Sequence, residues 1–125
     1  MSQQGILSDI NIPPFWITDW ESISVSQALA VNTGYFCVSP GGALSLSLPA
    51  VSTEGQTIAV VLDGATSFTI TQGALQQVRL GALSTTAGVG GSITSTAQGD
   101  TLIMVCRVPN LIWRVVSSIG NPIIV

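Results

Sequence analysis

The chain has 125 residues, 46% of them hydrophobic and only 7% charged: six acids, three arginines, and neither lysine nor histidine, for a net charge of −3. Three arginines that form no run (Arg79, Arg107, Arg114) lack the basic footprint that nucleic-acid binding needs for counterion release, and the same shortage argues against attraction to an anionic membrane surface. Without Lys or His, the usual general bases, Schiff-base amines and Ser–His or Cys–His pairs cannot be built within one chain.

Residues 1–27 read differently from the rest. They hold Pro13-Pro14, the acids Asp9, Asp19 and Glu21, and two of the three tryptophans, Trp16 and Trp20. They show neither the positive start nor the apolar stretch of a secretory signal, so synthesis in a cytoplasm is expected. The Pro pair forbids a regular helix or central strand. We expect an irregular arm whose aromatic segment, Phe15, Trp16 and Trp20, packs on another subunit or partner, as interface aromatics do. Packing on the chain's own core is the blander alternative. Ser26–Ala30 reads as one helical turn or the entry to a strand.

From residue 28 onward a period of two dominates. Ala43–Leu48 alternates Leu with Ser. Thr57–Leu62 is β-branched and apolar. Ser67–Thr71 alternates with Phe68 and Ile70 inward, and Gln76–Leu80 is a shorter strand with Arg79 outward. Ser92–Thr96 is a further candidate. Thr101–Val108 and Leu111–Val116 are the strongest late strands, joined as a hairpin by Pro109-Asn110. Ile123–Val125 reads as a last edge strand. The longest apolar runs, near Ile58–Leu62 and Leu102–Cys106, are far shorter than the roughly 18 to 20 residues of a membrane span, so no membrane insertion is expected. Gly, Pro, Asn and Asp turns separate the strands at short intervals. The expectation is one all-β domain, an antiparallel β-sandwich or jelly-roll-like module over 28–125 with a short irregular arm over 1–27.

Thr101–Val108 carries Leu102, Met104, Cys106 and Val108 on one face and Ile103, Val105 and Arg107 on the other. A strand apolar on both sides is central in a sandwich or lies at a subunit interface. About a quarter of the residues of a typical soluble domain are charged, against 7% here with a mean hydropathy of +0.60. A neutral Ser/Thr/Gly/Gln skin, burial against other protein, or both must therefore cover the surface. We expect a β-rich subunit of a permanent assembly, with Ile103, Val105, Arg107 and Arg114 as interface candidates and the two arginines pairing with acids of a neighbour.

Three stretches carry a resemblance: Gly34-Tyr35-Phe36-Cys37-Val38 running into Leu44-Ser45-Leu46-Ser47-Leu48-Pro49-Ala50; Gly88-Val89-Gly90-Gly91-Ser92-Ile93-Thr94-Ser95-Thr96-Ala97-Gln98-Gly99-Asp100; and Val105-Cys106 with Ile112-Trp113-Arg114-Val115 and Ser118-Ile119-Gly120-Asn121. Together, over about residues 28–125, they resemble a β-module found near the C-termini of bacteriophage tail-fibre-like and prophage-encoded surface proteins. The resemblance implies a homotrimer exposed on a virion, as tail fibre, spike or capsid decoration, with a structural or host-attachment role. Such modules usually end a much longer fibre, whereas here the module is nearly the whole chain, so residues 1–27 are expected to join it to other virion proteins. Two other readings are a carbohydrate- or host-receptor-binding module that contacts surface glycans, and a bacterial self-assembling filament or shell protein.

Little else points to chemistry. Glu54, Asp63 and Asp100 each adjoin a glycine, which is turn composition rather than a glycosidase pair. Gly88–Ser92 lacks the lysine of a phosphate loop. The acids are too scattered for a calcium site. Cys37 and Cys106 fit no metal spacing and are expected as buried thiols, with a disulfide as the alternative. Trp113 shares a parity with Val115 and is expected in the core; facing outward, it would be a candidate for stacking on a sugar ring. No catalytic residue, metal or cofactor is expected.

Overall fold

The computed structural model describes residues 17–125, and within them every regular element is a strand. Phe15, Trp16 and the Pro13-Pro14 pair lie outside the described residues. The chain forms two mixed sheets. The larger has the order β1 (Asp19–Ile23), β3 (Thr33–Val38), β5 (Thr57–Asp63), β10 (Thr101–Val108), β11 (Ile112–Ile119), β7 (Gln77–Leu80), β8 (Leu83–Ser84). The smaller runs β12 (Ile123–Ile124), β9 (Ser92–Thr94), β6 (Ser67–Thr71), β4 (Ala43–Ser47), β2 (Gln27–Ala28).

The alternation of Leu44-Ser45-Leu46-Ser47 and Phe68-Thr69-Ile70-Thr71 sends one residue in two into the interior. Leu44, Leu46, Phe68, Ile70 and Ile93 of the small sheet join Tyr35, Ile58, Val60, Leu62, Met104 and Trp113 of the large one in a single apolar cluster. Two sheets filling one core give the all-β fold read from the sequence and are consistent with a β-sandwich. The hairpin through Pro109-Asn110 is present as the antiparallel pair β10–β11. Asn110 sits at φ 66°, a left-handed conformation that Asn tolerates better than most residues.

The pairing corrects the expectation of an antiparallel module. Half of the strand pairings run parallel: β1–β3, β3–β5, β2–β4, β4–β6 and β7–β11. From β1 to β6 successive strands alternate between sheets. Each link crosses the core, so the chain re-enters a sheet in the direction it had one circuit earlier. The crossover that a parallel pair needs is here a strand of the opposite sheet. A jelly roll, which is built of antiparallel strands, does not describe this winding. The turn signals were real, but a turn residue does not say whether the next strand stays in its sheet.

The strands also begin before residue 28. Asp19–Ile23 forms β1, in register beside β3 with Trp20 opposite Gly34 and Ile23 opposite Cys37. Ile23 is buried.

Polar side chains close the corners. The Gln72 amide donates to the carbonyls of Gln76 (2.7 Å), Thr86 (2.9 Å) and Gly88 (2.9 Å), and accepts from the Thr85 hydroxyl. Gln76 donates to Pro49 O (2.8 Å) and Asn110 O (3.2 Å). Ser52 and Asn110 bond reciprocally, each backbone N–H reaching the other's side-chain oxygen at 2.8 and 2.9 Å. Buried carbonyls are costly to leave unpaired, so these residues hold loops that carry no ladder of their own.

Gly34 has a structural reason. A Cβ there would run into the Trp20 indole, which lies over the glycine and stacks on Phe36 at a centroid distance of 4.9 Å and an angle of 28°. Gly34→Ala should therefore cost about 1–3 kcal/mol, the usual penalty of overpacking. In a Trp20→Ala background the same change should be neutral or stabilising, because Gly is itself unfavourable inside a strand. Urea unfolding of the four proteins of this cycle measures both effects.

Candidate interaction surface

The outer face of the large sheet, turned away from the core, is built by parity. Where Ile58, Val60 and Leu62 point inward on β5, Ala59 and Val61 point out. Where Leu102, Met104 and Cys106 point inward on β10, Ile103, Val105 and Arg107 point out. The register aligns these residues in rows across the strands. One row is Trp20, Gly34, Ala59, Ile103 and Ser117. The next is Ser22, Phe36, Val61, Thr101 and Ile119. A third is Thr57, Val105, Arg114 and Arg79. The first two rows are apolar over most of their length. Trp20 is 48% exposed and Ile119 63%, whereas Phe36, Val61, Ile103 and Val105 between them are half-buried and Ala59 is buried. Such adjacency separates a patch from singly scattered apolar residues, which need no explanation.

The predicted residues divide on this surface. Trp20, Ile103, Val105, Arg107 and Arg114 share the outer face; Phe15 and Trp16 lie outside the described residues. Arg107 has a partner within its own chain: its Nη1 lies 3.1 Å from Glu54 Oε2, with both side chains about two-thirds exposed at 65% and 66%. Such a pair is worth at most about 1 kcal/mol. Arg114 donates to the Gly81 carbonyl at 2.9 Å.

Trp113 is withdrawn as a sugar-stacking candidate. It is 0% exposed, on the inner face of β11 opposite Cys106 and Val78. No ligand can stack on it while the core is intact. Its indole Nε1 has no hydrogen-bond partner among the described residues.

The sequence reading missed Phe36 and Val61 as members of the patch. The signal was present in the parity of Gly34 and Phe36, two residues apart on one strand. It became legible only once β1 was known to lie beside β3.

The small sheet offers the opposite surface. No charged residue stands in any of its five strands. Its outward rows are mostly hydroxyls in register: Ser45 beside Thr69 beside Thr94, ending in Ile123, and Ser47 beside Thr71 beside Ser92, starting from Ala28. Thr69 and Thr94 hydroxyls bond at 3.0 Å. This is the neutral skin that a chain with so few charges needs.

An open cleft of about 360 Å³ lies between Leu48, Gln72, Gln76, Asn110 and Leu111. The two glutamine amides there are committed to the loop carbonyls described above, so the cleft presents mainly apolar walls. Among the described residues no three His, Cys, Asp or Glu side chains cluster as metal ligands.

The two cysteines are free and buried. Cys37 faces Leu62, near one end of β5. Cys106 follows Val105, which faces Thr57 at the other end. Five residues of strand span about 16 Å, well beyond the roughly 7 Å that Cα atoms of a disulfide allow. Burial pushes the Cys37 thiol up to about 11. Cys37 should therefore resist iodoacetamide at pH 8 in the native protein and react once urea unfolds it; rapid native labelling, read by mass spectrometry, would contradict this burial.

The corner formed by Ser95-Thr96-Ala97-Gln98-Gly99-Asp100 is organised by Asp100. Its Oδ2 accepts from the backbone N–H of Thr96 (2.7 Å) and of Ala97 (3.1 Å) and from the Thr96 hydroxyl (3.2 Å). A Cβ at Gly120 would collide with this carboxylate. The Thr96 backbone bond, opposed by burial and aided by the Ala97 N–H and the Thr96 hydroxyl, holds its carboxyl below the ordinary 3.8. A depressed native pKa adds stability that is present above the unfolded value and is lost as pH falls through the folded one. Stability should thus drop with acid below about pH 4, and Asp100→Asn should flatten that limb while lowering the plateau, as read by urea midpoints from pH 6 to 2.

No protein-family model matches the chain, and no curated protein matches it.

Proposed function

We propose that this chain is a non-enzymatic structural protein of a phage particle, a homotrimeric β-module carried on the virion surface as tail fibre, spike or capsid decoration. Residues before the first strand join it to other virion proteins. The observation that carries this reading is the apolar outer face of the large sheet, where Trp20, Phe36, Val61, Ile103 and Val105 stand in aligned rows. A single layer of core cannot use this face. A second copy can, and its cover would supply the stability that so weakly charged a chain cannot draw from ion pairs. The resemblance of residues 28–125 to tail-fibre-like modules supports both the trimer and the exterior position. The uncharged hydroxyl face of the small sheet suits an outward wall, and it favours a second role in contact with neutral host glycans.

Size-exclusion chromatography with light scattering should give about three times the 12.9 kDa chain mass. A monomer at high concentration would overturn the assembly. Antibody labelling of phage particles in electron micrographs tests the location; absence from purified particles would overturn the virion assignment.

A further inference from the structure

The three most exposed large apolar side chains among the described residues gather at one end of the body, where β5 and β7 begin and β10 finishes. Val89 is 80% exposed, Val51 76% and Leu75 74%. Loop bonds bring them there. Gln76, next to Leu75, accepts the Gly88 N–H at 2.8 Å, and Ser52, next to Val51, bonds Asn110. Beside them opens the cleft, and no charged side chain lines it. Leu75 sits at φ 66° rounded down to 65° in the left-handed region, which a bulky residue adopts only where its surroundings enforce it. Here Gln76 Oε1 fixes the turn by accepting the Gly73 N–H at 2.7 Å. The fold thus holds a leucine out toward solvent at the mouth of an apolar cleft.

The described chain enters at this same end. The Thr18 N–H and hydroxyl donate to Asn32 O at 2.9 and 3.0 Å, and Asn32 bonds Thr57 at the start of β5. Ahead of Ile17 the sequence holds Ile6, Leu7, Ile10 and Ile12, with Asp9 as the only charged side chain. Reach selects among these residues. The cleft adjoins the start of β11, and β3, β5 and β10 separate β11 from β1. Four steps of about 4.8 Å make about 19 Å. At about 3.3 Å per extended residue, Ile12 falls short at about 17 Å from Ile17, whereas Ile10 arrives at about 23 Å. Phe15 and Trp16 are nearer still to Ile17, so the aromatic segment expected to meet a partner is not consumed.

We propose that residues 6–10 seat Ile6, Leu7 and Ile10 in this cleft of their own copy, against its apolar walls and the exposed Val51, Leu75 and Val89. Burial of these aliphatic side chains supplies the attraction. Closing a loop of this length within one chain costs little more for each added residue. The seat needs no second copy, so it goes beyond the homotrimer reading and does not depend on it.

Disulfide trapping in the full chain tests the seat. The native thiols are buried and leave an introduced pair to react. Ser8→Cys with Ala74→Cys should close an intrachain disulfide under mild oxidation, read as a linked peptide by mass spectrometry and as an unchanged chain mass on a non-reducing gel. Ser8→Cys with Thr66→Cys, at the opposite end of the body, should link at least about tenfold more slowly. Adding Ile6→Ser, Leu7→Ser and Ile10→Ser to the first pair should slow its closure at least about tenfold. Circular dichroism of each reduced variant should match the wild type, since all these positions lie in the leader or on exposed loops. Equal rates at Ala74 and Thr66 would overturn the inference. A link that forms only between chains would give the cleft to a neighbour's leader and overturn the seat within one copy. Closure that is indifferent to the three serines would overturn its apolar basis.

Discussion

Two central strands with apolar residues on both faces govern this structure. β5 and β10 pair in the middle of the large sheet and send Ile58, Val60, Leu62, Leu102, Met104 and Cys106 into the core. Their other face carries Ala59, Val61, Ile103 and Val105. The small sheet covers only the first face. Burial of apolar area is the main favourable term in folding, and it fixes the inner packing here as in any two-layer β protein. The second face is a surplus, and the sheet deals with part of it locally. The Trp20 indole lies across Gly34 and onto Phe36, closing the edge on the β1 side, while Val61, Ile103 and Val105 further in stay half-buried.

The scarcity of charge takes on a spatial meaning in this frame. The small sheet has none in its strands and relies on hydroxyls, which satisfy water without committing to a sign. The charged groups collect on the large sheet and on loops. Asp100, held by three donors from Thr96 and Ala97, serves the fold. Arg107 and Glu54 form an exposed pair. Arg114 and Arg79 bond neutral partners, the Gly81 carbonyl and Gln77 Oε1, and the acids of β1 are exposed.

Much of the fold was legible in the residues. Strand positions, inward Phe68 and Ile70, outward Arg79, the Pro109-Asn110 hairpin and the buried Trp113 all follow from a period of two and from turn residues, which are local signals. Pairing was not legible. Whether Ala43–Ser47 lies beside its sequence neighbours or beside Ser67–Thr71 depends on contacts across the core, and alternation looks the same in a hairpin as in a winding. β1 was obscured for a related reason: Asp19-Trp20-Glu21-Ser22-Ile23 has a buried residue only at its end, and its acids and aromatic resemble an arm. The outer patch was half visible for the same cause. Two faces could be read from β10 alone, but the rows that join Trp20 to Ile103 exist only in the register of four strands.

The circuit of β1 to β6 has a consequence for how such a body could change its length. Each turn lays one strand on the large sheet and one on the small, and the next turn repeats the direction. Adding or deleting a whole turn would shift the stack by one interstrand spacing, about 4.8 Å, while every remaining side chain kept its inward or outward assignment. A hairpin-built sheet cannot change by a single strand in this way without reversing the chain. Height along the stack is therefore a dimension that duplication of a short segment can adjust, with the closing β10–β11 hairpin and its tryptophan left untouched.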